Sequence, residues 1–222
     1  PPEMIPVHQH ITPAVDAAER VGIDHVVFLS VLGAEKNPLL PHRRIERHLA
    51  ASGLAYTFLR ASFFMQNFYT VHRADVSEQG ELFVPAGDGE ISFVDARDVA
   101  AVGVAALTEP DHRNVAYDVT GPEALTYHEV AAVFSAELDR PIEYANPGLV
   151  EFIVTATRRG TALPFALVQT VVYSTARLGF AGRVTNDVER VTGRPPRPLA
   201  EFVRDHEAEF RTSDGAGRPV SA

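Results

Sequence analysis

Residues 25–67 read HVVFLSVLGAEKNPLLPHRRIERHLAASGLAYTFLRASFFMQN, and this stretch decides the fold. Two apolar runs, 26–30 and 56–60, each lead into small or polar residues, and an amphipathic segment over 41–52 lies between them. Strand, helix and strand in this order predict a right-handed parallel crossover. Since ligands of open parallel sheets bind beyond the carboxyl ends of the strands, 30–33 and 61–67 are the first places to look for a site.

Composition narrows the class of protein. The chain has 222 residues and a formal net charge of -9, so direct binding to nucleic acid is disfavoured. Without cysteine it forms no disulfide, metal–thiolate site or thiol nucleophile, which agrees with a reducing compartment. No signal peptide or apolar run of membrane-spanning length is found, so we expect a soluble, cytoplasmic protein that does not bind membranes.

The rest of the chain alternates strand and helix signals and then becomes helical. Further strands are predicted at 91–94, 115–119 and 142–144, and helices start at the capping residues Asp95 and Thr126. From 147 to 182 the pattern is helical. We therefore expect an α/β sheet domain over 1–145 with an irregular excursion at 74–90, a mostly helical lobe over 146–211, and a mobile tail over 212–222.

A phosphate-binding turn is missing from this pattern. None of the 15 glycines forms GxGxxG or GxxGxxG, although a dinucleotide site needs such a turn before a helix. Gly87-Asp88-Gly89 is the nearest fragment, but it precedes a strand and is typical of a plain turn.

Two candidate sites each allow a structural and a functional interpretation. Residues 30–33 either form an ordinary strand-to-loop turn or contact a ribose or nicotinamide with Ser30 and free backbone groups. His42 and Glu46, four residues apart, suit an acid/base pair or an ion pair, and a solvated helical surface is the favoured interpretation. We predict no metal site, because no HExxH motif is present.

Residues 63–67 (FFMQN) combine aromatic surface with two amides, which together can stack on a flat ligand and orient it. Phenylalanines at this spacing also serve as core residues. We assign Phe63 or Phe68 to the core and Gln66 or Asn67 to a pocket.

Segments along nearly the whole chain resemble, in order, the NmrA-like branch of the atypical short-chain dehydrogenase/reductases. The segments are DHVVFLS (24–30), SGL (52–54), TFLR (57–60), FMQN (64–67), ISFVDARDVA (91–100), YDVTGPEALT (117–126), TNDVER (185–190) and TGRPP (192–196). Each is weak alone, and their order makes the match specific.

The resemblance implies an α/β fold: the C-terminal portion of a doubly wound parallel Rossmann-type sheet with a helical substrate lobe. It implies NADP or NAD as cofactor. Pro1-Pro2 resembles the end of the fourth strand, so the glycine-rich turn is expected before residue 1. The implied cofactor-binding residues are Ser30, Val31, Leu32, Gly33, His42, Ala61, Ser62 and Phe63, and the implied substrate-binding residues are Phe64, Gln66 and Asn67.

The family includes quinone-type reductases and cofactor-sensing regulators. His42 falls at the lysine of the superfamily's Tyr-x-x-x-Lys pair and Pro38 at the tyrosine, and proline cannot donate a proton. The leading hypothesis is hydride transfer to a quinone-like or other flat acceptor, with His42 orienting a ribose or supplying a proton. The alternative is a non-catalytic NAD(P)-sensing regulator with a protein partner.

Two further questions concern assembly. A homodimer is compatible with either hypothesis. A unit that works without any cofactor is disfavoured, because a sheet beginning at Val26 would leave an apolar edge exposed.

Overall fold

A computed structural model describes residues 7–211, with side chains from residue 11 onward. The predicted strand end at Pro1-Pro2 and the predicted mobile tail over 212–222 lie outside the described residues. The α-helices are α1 (Val7–Arg20), α2 (Pro41–Ala51), α3 (Asn67–Thr70), α4 (Ala96–Thr108), α5 (Tyr127–Glu137), α6 (Leu149–Arg158), α7 (Leu163–Arg177), α8 (Asp187–Thr192), α9 (Leu199–Asp205) and α10 (Glu207–Phe210). The strands are β1 (His25–Val31), β2 (Ala55–Ala61), β3 (Phe63–Phe64), β4 (Glu81–Leu82), β5 (Ile91–Val94), β6 (Val115–Val119), β7 (Ala124–Leu125) and β8 (Glu143–Tyr144).

The chain divides into two compact units that alternate along the sequence. Unit 1 comprises Pro1–Phe64, Ser92–Ala124 and Arg183–Arg197, and unit 2 comprises Met65–Ile91, Leu125–Gly182 and Pro198–Ala222. The sequence predicts a boundary after residue 145, between a sheet domain and a helical lobe over 146–211. The assignment of one part to the cofactor and the other to the substrate stays a prediction.

Unit 1 is built on a parallel sheet in the order β1-β2-β6. In its register Ser30 lies beside Arg60, and Arg60 lies beside Asp118. β1, α2 and β2 form the predicted parallel crossover. The α/β prediction is therefore confirmed, and the carboxyl ends of the three strands meet at one edge.

Both faces of this sheet are covered, which explains why its strands are apolar without alternation. On one face Phe58 packs in a buried cluster with Val15, Ile45, Leu49 and Leu54 from the α1–α2 side. A second cluster contains strand residues on the other face and residues of α4 and α8: Leu59, Ala61, Val94, Val99, Val102, Tyr117, Val119 and Val188.

The predicted helix starts are confirmed in detail. Asp95 is the N-cap of α4, and its carboxylate accepts a hydrogen bond from Arg97 N at 2.8 Å. Thr126 forms a capping box with Glu129 at the start of α5. Both side chains satisfy backbone N–H groups that lack a partner inside the helix, so these signals act locally and can be recognised from sequence.

Unit 2 has an aromatic core. Phe134 makes edge-to-face contacts with Phe68 at 5.0 Å and with Phe210 at 5.1 Å between ring centroids. Leu199 and Phe202 of α9 are buried. Within residues 7–211, no helix combines the length and apolar character needed to cross a membrane.

Glycine is required at Gly121 by a close approach of two backbone segments. A Cβ there would overlap the carbonyl oxygen of Phe93, whereas a Cβ at Gly103 in α4 would make an ordinary 3.5 Å contact with Leu59 Cδ1. We expect Gly121→Ala to lower the free energy of unfolding by about 3 kcal/mol, because backbone atoms must shift. Urea denaturation measures this change.

Gly103→Ala is the matched control, since it makes the same substitution inside a helix. It should raise the free energy of unfolding by about 0.5–1 kcal/mol, because alanine restricts the unfolded chain. Equal effects of the two substitutions would contradict the close approach.

Candidate functional site

The predicted ligand-binding segments meet at the carboxyl edge of the β1-β2-β6 sheet. Val31 pairs with Ala61, and Ala61 pairs with Val119. Beyond the strands, Leu32 N donates to the carbonyl of Ala61 at 2.9 Å, and Ser62 N donates to that of Val119 at 3.0 Å. The two segments 30–33 and 61–62 therefore lie side by side.

Gly33 forms the turn after β1. Its φ of 85° lies in the left-handed region, where glycine carries no steric cost. It caps the short 3-10 helix Ala34–Lys36, and a Cβ at this position would find no atom within 4 Å. The turn itself, and not crowding, therefore requires glycine.

Ser62 carries an unused hydrogen-bonding group at this edge. Its side chain is buried, and its Oγ has no hydrogen-bond partner among the described residues. A buried hydroxyl without a partner costs about 1–3 kcal/mol and calls for an explanation. A ligand with a carboxamide or sugar hydroxyl would satisfy it, so the residues at this edge fit the nicotinamide half of a dinucleotide.

The hydroxyl of Ser30 is already used inside the protein. Ser30 Oγ donates to Glu46 Oε1 at 2.7 Å, and the side chain of Glu46 is fully buried. Arg60 completes the pairing with two hydrogen bonds of 2.9 Å, from Nε and from Nη2, to the two oxygens of Glu46. The predicted solvated helical surface is therefore wrong for Glu46, which is a buried ion-pair residue.

His42 lies at the start of α2 with its ring half-buried. Its Nδ1 is buried and has no hydrogen-bond partner among the described residues, and its ring lies 6.3 Å from that of Phe28. Burial lowers the pKa of His42 below its ordinary value of 6.5, and the negative charge of Glu46 partly opposes this shift. The ring is therefore neutral at pH 7 and offers one unpaired nitrogen to a ligand.

The aromatic and amide residues after β2 fall into different surroundings. Phe63 makes an edge-to-face contact with Phe93 at 6.4 Å, and the partly buried Phe64 packs against the core of unit 1. In unit 2, Gln66 is half-buried, Asn67 begins α3 and is exposed, and Phe68 is a core residue. The roles of Phe64, Gln66 and Asn67 in binding substrate stay predictions.

A chain of ion pairs beside this edge has no sequence signal. Arg60 also approaches Glu35 at 3.6 Å, and Arg183 pairs with Glu35 at 3.1 Å and with Asp118 at 2.9 Å. Burial raises the pKa of Asp118. These residues are far apart in sequence, so no local motif could have indicated them. Among the described residues, no three His, Cys, Asp or Glu side chains form a metal-binding group.

We expect Glu46→Gln to lower the free energy of unfolding by about 3 kcal/mol, because it leaves the guanidinium of Arg60 without its buried counter-charge. Glu123→Gln, at an exposed position, is the matched control and should change stability by less than about 0.5 kcal/mol. Urea denaturation measures both, and equal effects would contradict a buried pair. Adding Arg60→Met to Glu46→Gln should restore part of the loss.

Nuclear magnetic resonance titration of the histidine rings should give His42 a pKa below 6.5. The His42→Asn variant identifies the signal of this ring, because the signal is absent from it. Because the folded pKa lies below the unfolded one, stability should decrease as the pH falls through about 6.5. Glu46→Gln should lower the pKa of His42 further, since the charge that raises it is gone. A higher pKa of His42 in Glu46→Gln than in the wild-type protein would contradict the role given to the charge of Glu46.

Comparison with known proteins places this geometry in a family. The NmrA-like family matches residues 9–191. An NAD(P)H azoreductase from Xenophilus azovorans is 39% identical over 200 residues, which cover 88% of this chain and 70% of that protein.

Solved structures share the fold. The NADPH-dependent quinone oxidoreductase QOR2 of Escherichia coli, complexed with NADPH, matches with a TM-score of 0.84 and 25% identity over 91% of this chain and 72% of that one. NmrA, a negative transcriptional regulator in complex with NADP, matches with a TM-score of 0.65 and 21% identity over 92% and 71%. The chain belongs to the NmrA-like family.

Proposed function

We propose that this protein is an NAD(P)H-dependent oxidoreductase that transfers hydride to a quinone-like or other flat small-molecule acceptor. The observation that carries the proposal is the buried, unpaired hydroxyl of Ser62 at the carboxyl edge of a parallel sheet. This is the position at which sheets of this type bind ligands. Membership of the NmrA-like family, with a relative named NAD(P)H azoreductase, supports it.

The edge residues would hold and orient the nicotinamide half of the cofactor. Ser62 Oγ would hydrogen-bond the ligand, and the backbone of 30–33 would line the site beside it. When bound, the cofactor supplies the hydride. The protein's own contribution is to hold the nicotinamide and the acceptor in the orientation needed for direct hydride transfer. Fixing two reactants in this way accounts for much of the rate enhancement of such a reaction.

His42 suits an orienting role better than that of an acid. Its lowered pKa leaves few protonated rings at neutral pH, so it is a weak source of protons there. Its unpaired Nδ1 can still exchange a hydrogen bond with a ribose hydroxyl. The proton that the acceptor needs would then be donated by solvent or by another group that contacts the acceptor.

The alternative function is an NAD(P)-sensing regulator that does not turn over. Pro38 favours it, because this exposed proline stands where the superfamily resemblance puts a proton-donating tyrosine. The fold does not decide between the two, since one fold can host both reductases and regulators. A protein partner and a homodimer stay predictions.

Oxidation of NADPH and NADH, followed at the nicotinamide absorbance with a panel of quinones and azo compounds, separates the two functions. An oxidoreductase turns over at least one acceptor. Tight cofactor binding without any turnover would instead support the regulator. If neither cofactor binds the protein when the glycine-rich turn expected before residue 1 is included, both functions are wrong.

Ser62→Ala should weaken cofactor binding about tenfold, because it removes a hydrogen bond to the ligand, with little loss of stability. Ser92→Ala is the matched control. Ser92 Oγ is also buried without a partner among the described residues, but it lies within β5 and outside the predicted site. Isothermal titration calorimetry measures both variants, and equal losses would contradict a contact between Ser62 and the cofactor.

A further inference from the structure

An open groove of about 450 Å³ lies in unit 1 between α2 and the strands β2 and β6. We call it the α2–β6 groove. It is lined by Arg43, Glu46, Arg47, Ala50, Ala51, Tyr56, Phe58, Arg60, Asn114, Val115 and Ala116. None of the predicted cofactor or substrate residues is among them. Tyr56 and Val115 are near the amino-terminal ends of their strands, so the groove extends away from the edge that carries Ser62.

The lining carries a positive charge that the protein does not neutralise. Three guanidinium groups, those of Arg43, Arg47 and Arg60, line the groove with the carboxylate of Glu46, and Glu35 approaches Arg60 at 3.6 Å from outside it, which leaves one positive charge in excess. Glu46 is fully buried and accepts hydrogen bonds from Arg60 at 2.9 Å and from Arg43 at 3.4 Å. Arg47 has no ion-pair partner among the described residues. This excess stands out in a chain of net charge -9.

The spacing of Arg43 and Arg47 concentrates this charge. They are four residues apart on α2, so their side chains lie on the same helical face, where like charges repel by a few tenths of a kcal/mol. An anion between them would convert this repulsion into attraction. Planar guanidinium forks suit the oxygens of a phosphate or sulfonate, which they can bind with paired hydrogen bonds.

The opposite wall of the groove is aromatic. The rings of Tyr56 and Phe58 are stacked at 4.3 Å with an interplanar angle of 14°, and Tyr56 is the more exposed of the two. Asn114 adds a polar group, because its Oδ1 accepts from Tyr56 N at 3.3 Å and its amino group keeps its own protons to donate. An apolar ring system can pack on this wall while an anionic group lies against α2.

We propose that the α2–β6 groove binds a small aromatic anion, such as an aryl phosphate, at a site separate from the cofactor edge. Arg43 and Arg47 bind the anionic group, and Tyr56 packs against the ring. Arg60 adds to the positive electrostatic potential of the groove, but its guanidinium is held in place by Glu46. The negative charge of the ligand complements the positive charge of Arg47, which the groove leaves uncompensated.

The test is a titration of the isotope-labelled protein with phenyl phosphate and, separately, with inorganic phosphate, at low and constant ionic strength. We expect saturable shifts of the backbone amides at 43–47, 56–60 and 114–116. Phenyl phosphate should bind about fivefold more tightly than inorganic phosphate, because only the former has a ring to pack on Tyr56. The titration of the wild-type protein tests the proposal even if a variant fails to fold.

Arg47→Gln should weaken the binding of both probes about tenfold, since a charge-assisted contact is lost. Arg44→Gln is the matched control, because Arg44 is an exposed arginine of the same helix that does not line the groove. It should change either affinity by less than about twofold. Tyr56→Leu should abolish the preference for phenyl phosphate and leave inorganic phosphate nearly unaffected.

Three results would overturn the proposal. The first is the absence of saturable shifts with phenyl phosphate. The second is an equal loss in Arg44→Gln and Arg47→Gln, which would mean that the anion responds to the general charge of α2. The third is equal affinity for the two probes, which would mean that the aromatic wall takes no part.

Discussion

The buried carboxylate of Glu46 is the constraint on which unit 1 depends. A charge removed from water costs several kcal/mol unless other groups replace its hydration, and here Ser30 and Arg60 do so. Ser30 belongs to β1, Arg60 to β2 and Glu46 to the helix that connects them. The three groups meet only if Ser30 and Arg60 are neighbours across the two strands, as they are. The ion pair therefore fixes the strand register as well as the position of α2.

The same constraint continues along the carboxyl edge of the sheet. Arg60 approaches Glu35, and Arg183 joins Glu35 to Asp118, so charges of opposite sign alternate along this series of four residues. Thr185 adds a hydrogen bond of 3.0 Å from its N–H to Thr120 Oγ1. These contacts attach 183–197 to the sheet within unit 1. An edge held in this way gives Ser62 a defined position, which a ligand-binding hydroxyl requires.

The sequence predicted the features of both units that depend on local chemistry. Strands 91–94 and 115–119 and the caps Asp95 and Thr126 follow from apolar runs and capping residues that act within a few positions. Helical spacing alone predicts a solvated surface for Glu46, because its partner Arg60 lies 14 residues away in the next strand. Helical spacing shows which residues share a face, but not what that face meets. The carboxyl ends of two predicted strands indicated 30–33 and 61–67 as the candidate site, and the resemblance to the NmrA-like family added cofactor and substrate roles, which stay predictions.

Glu46 also links the two surfaces of unit 1 that have unused binding capacity. One of its oxygens accepts from Ser30 at the end of β1, and both accept from Arg60, whose guanidinium lines the α2–β6 groove. Without Glu46 the groove would lose the carboxylate that pairs with Arg43 and Arg60, and Ser30 would lose its acceptor. One carboxylate thus holds Arg60 in the wall of the groove and leaves Ser62, and not Ser30, as the unpaired hydroxyl at the edge. The position of the buried Glu46 carboxylate therefore determines which polar groups stay unpaired at the carboxyl edge and in the α2–β6 groove.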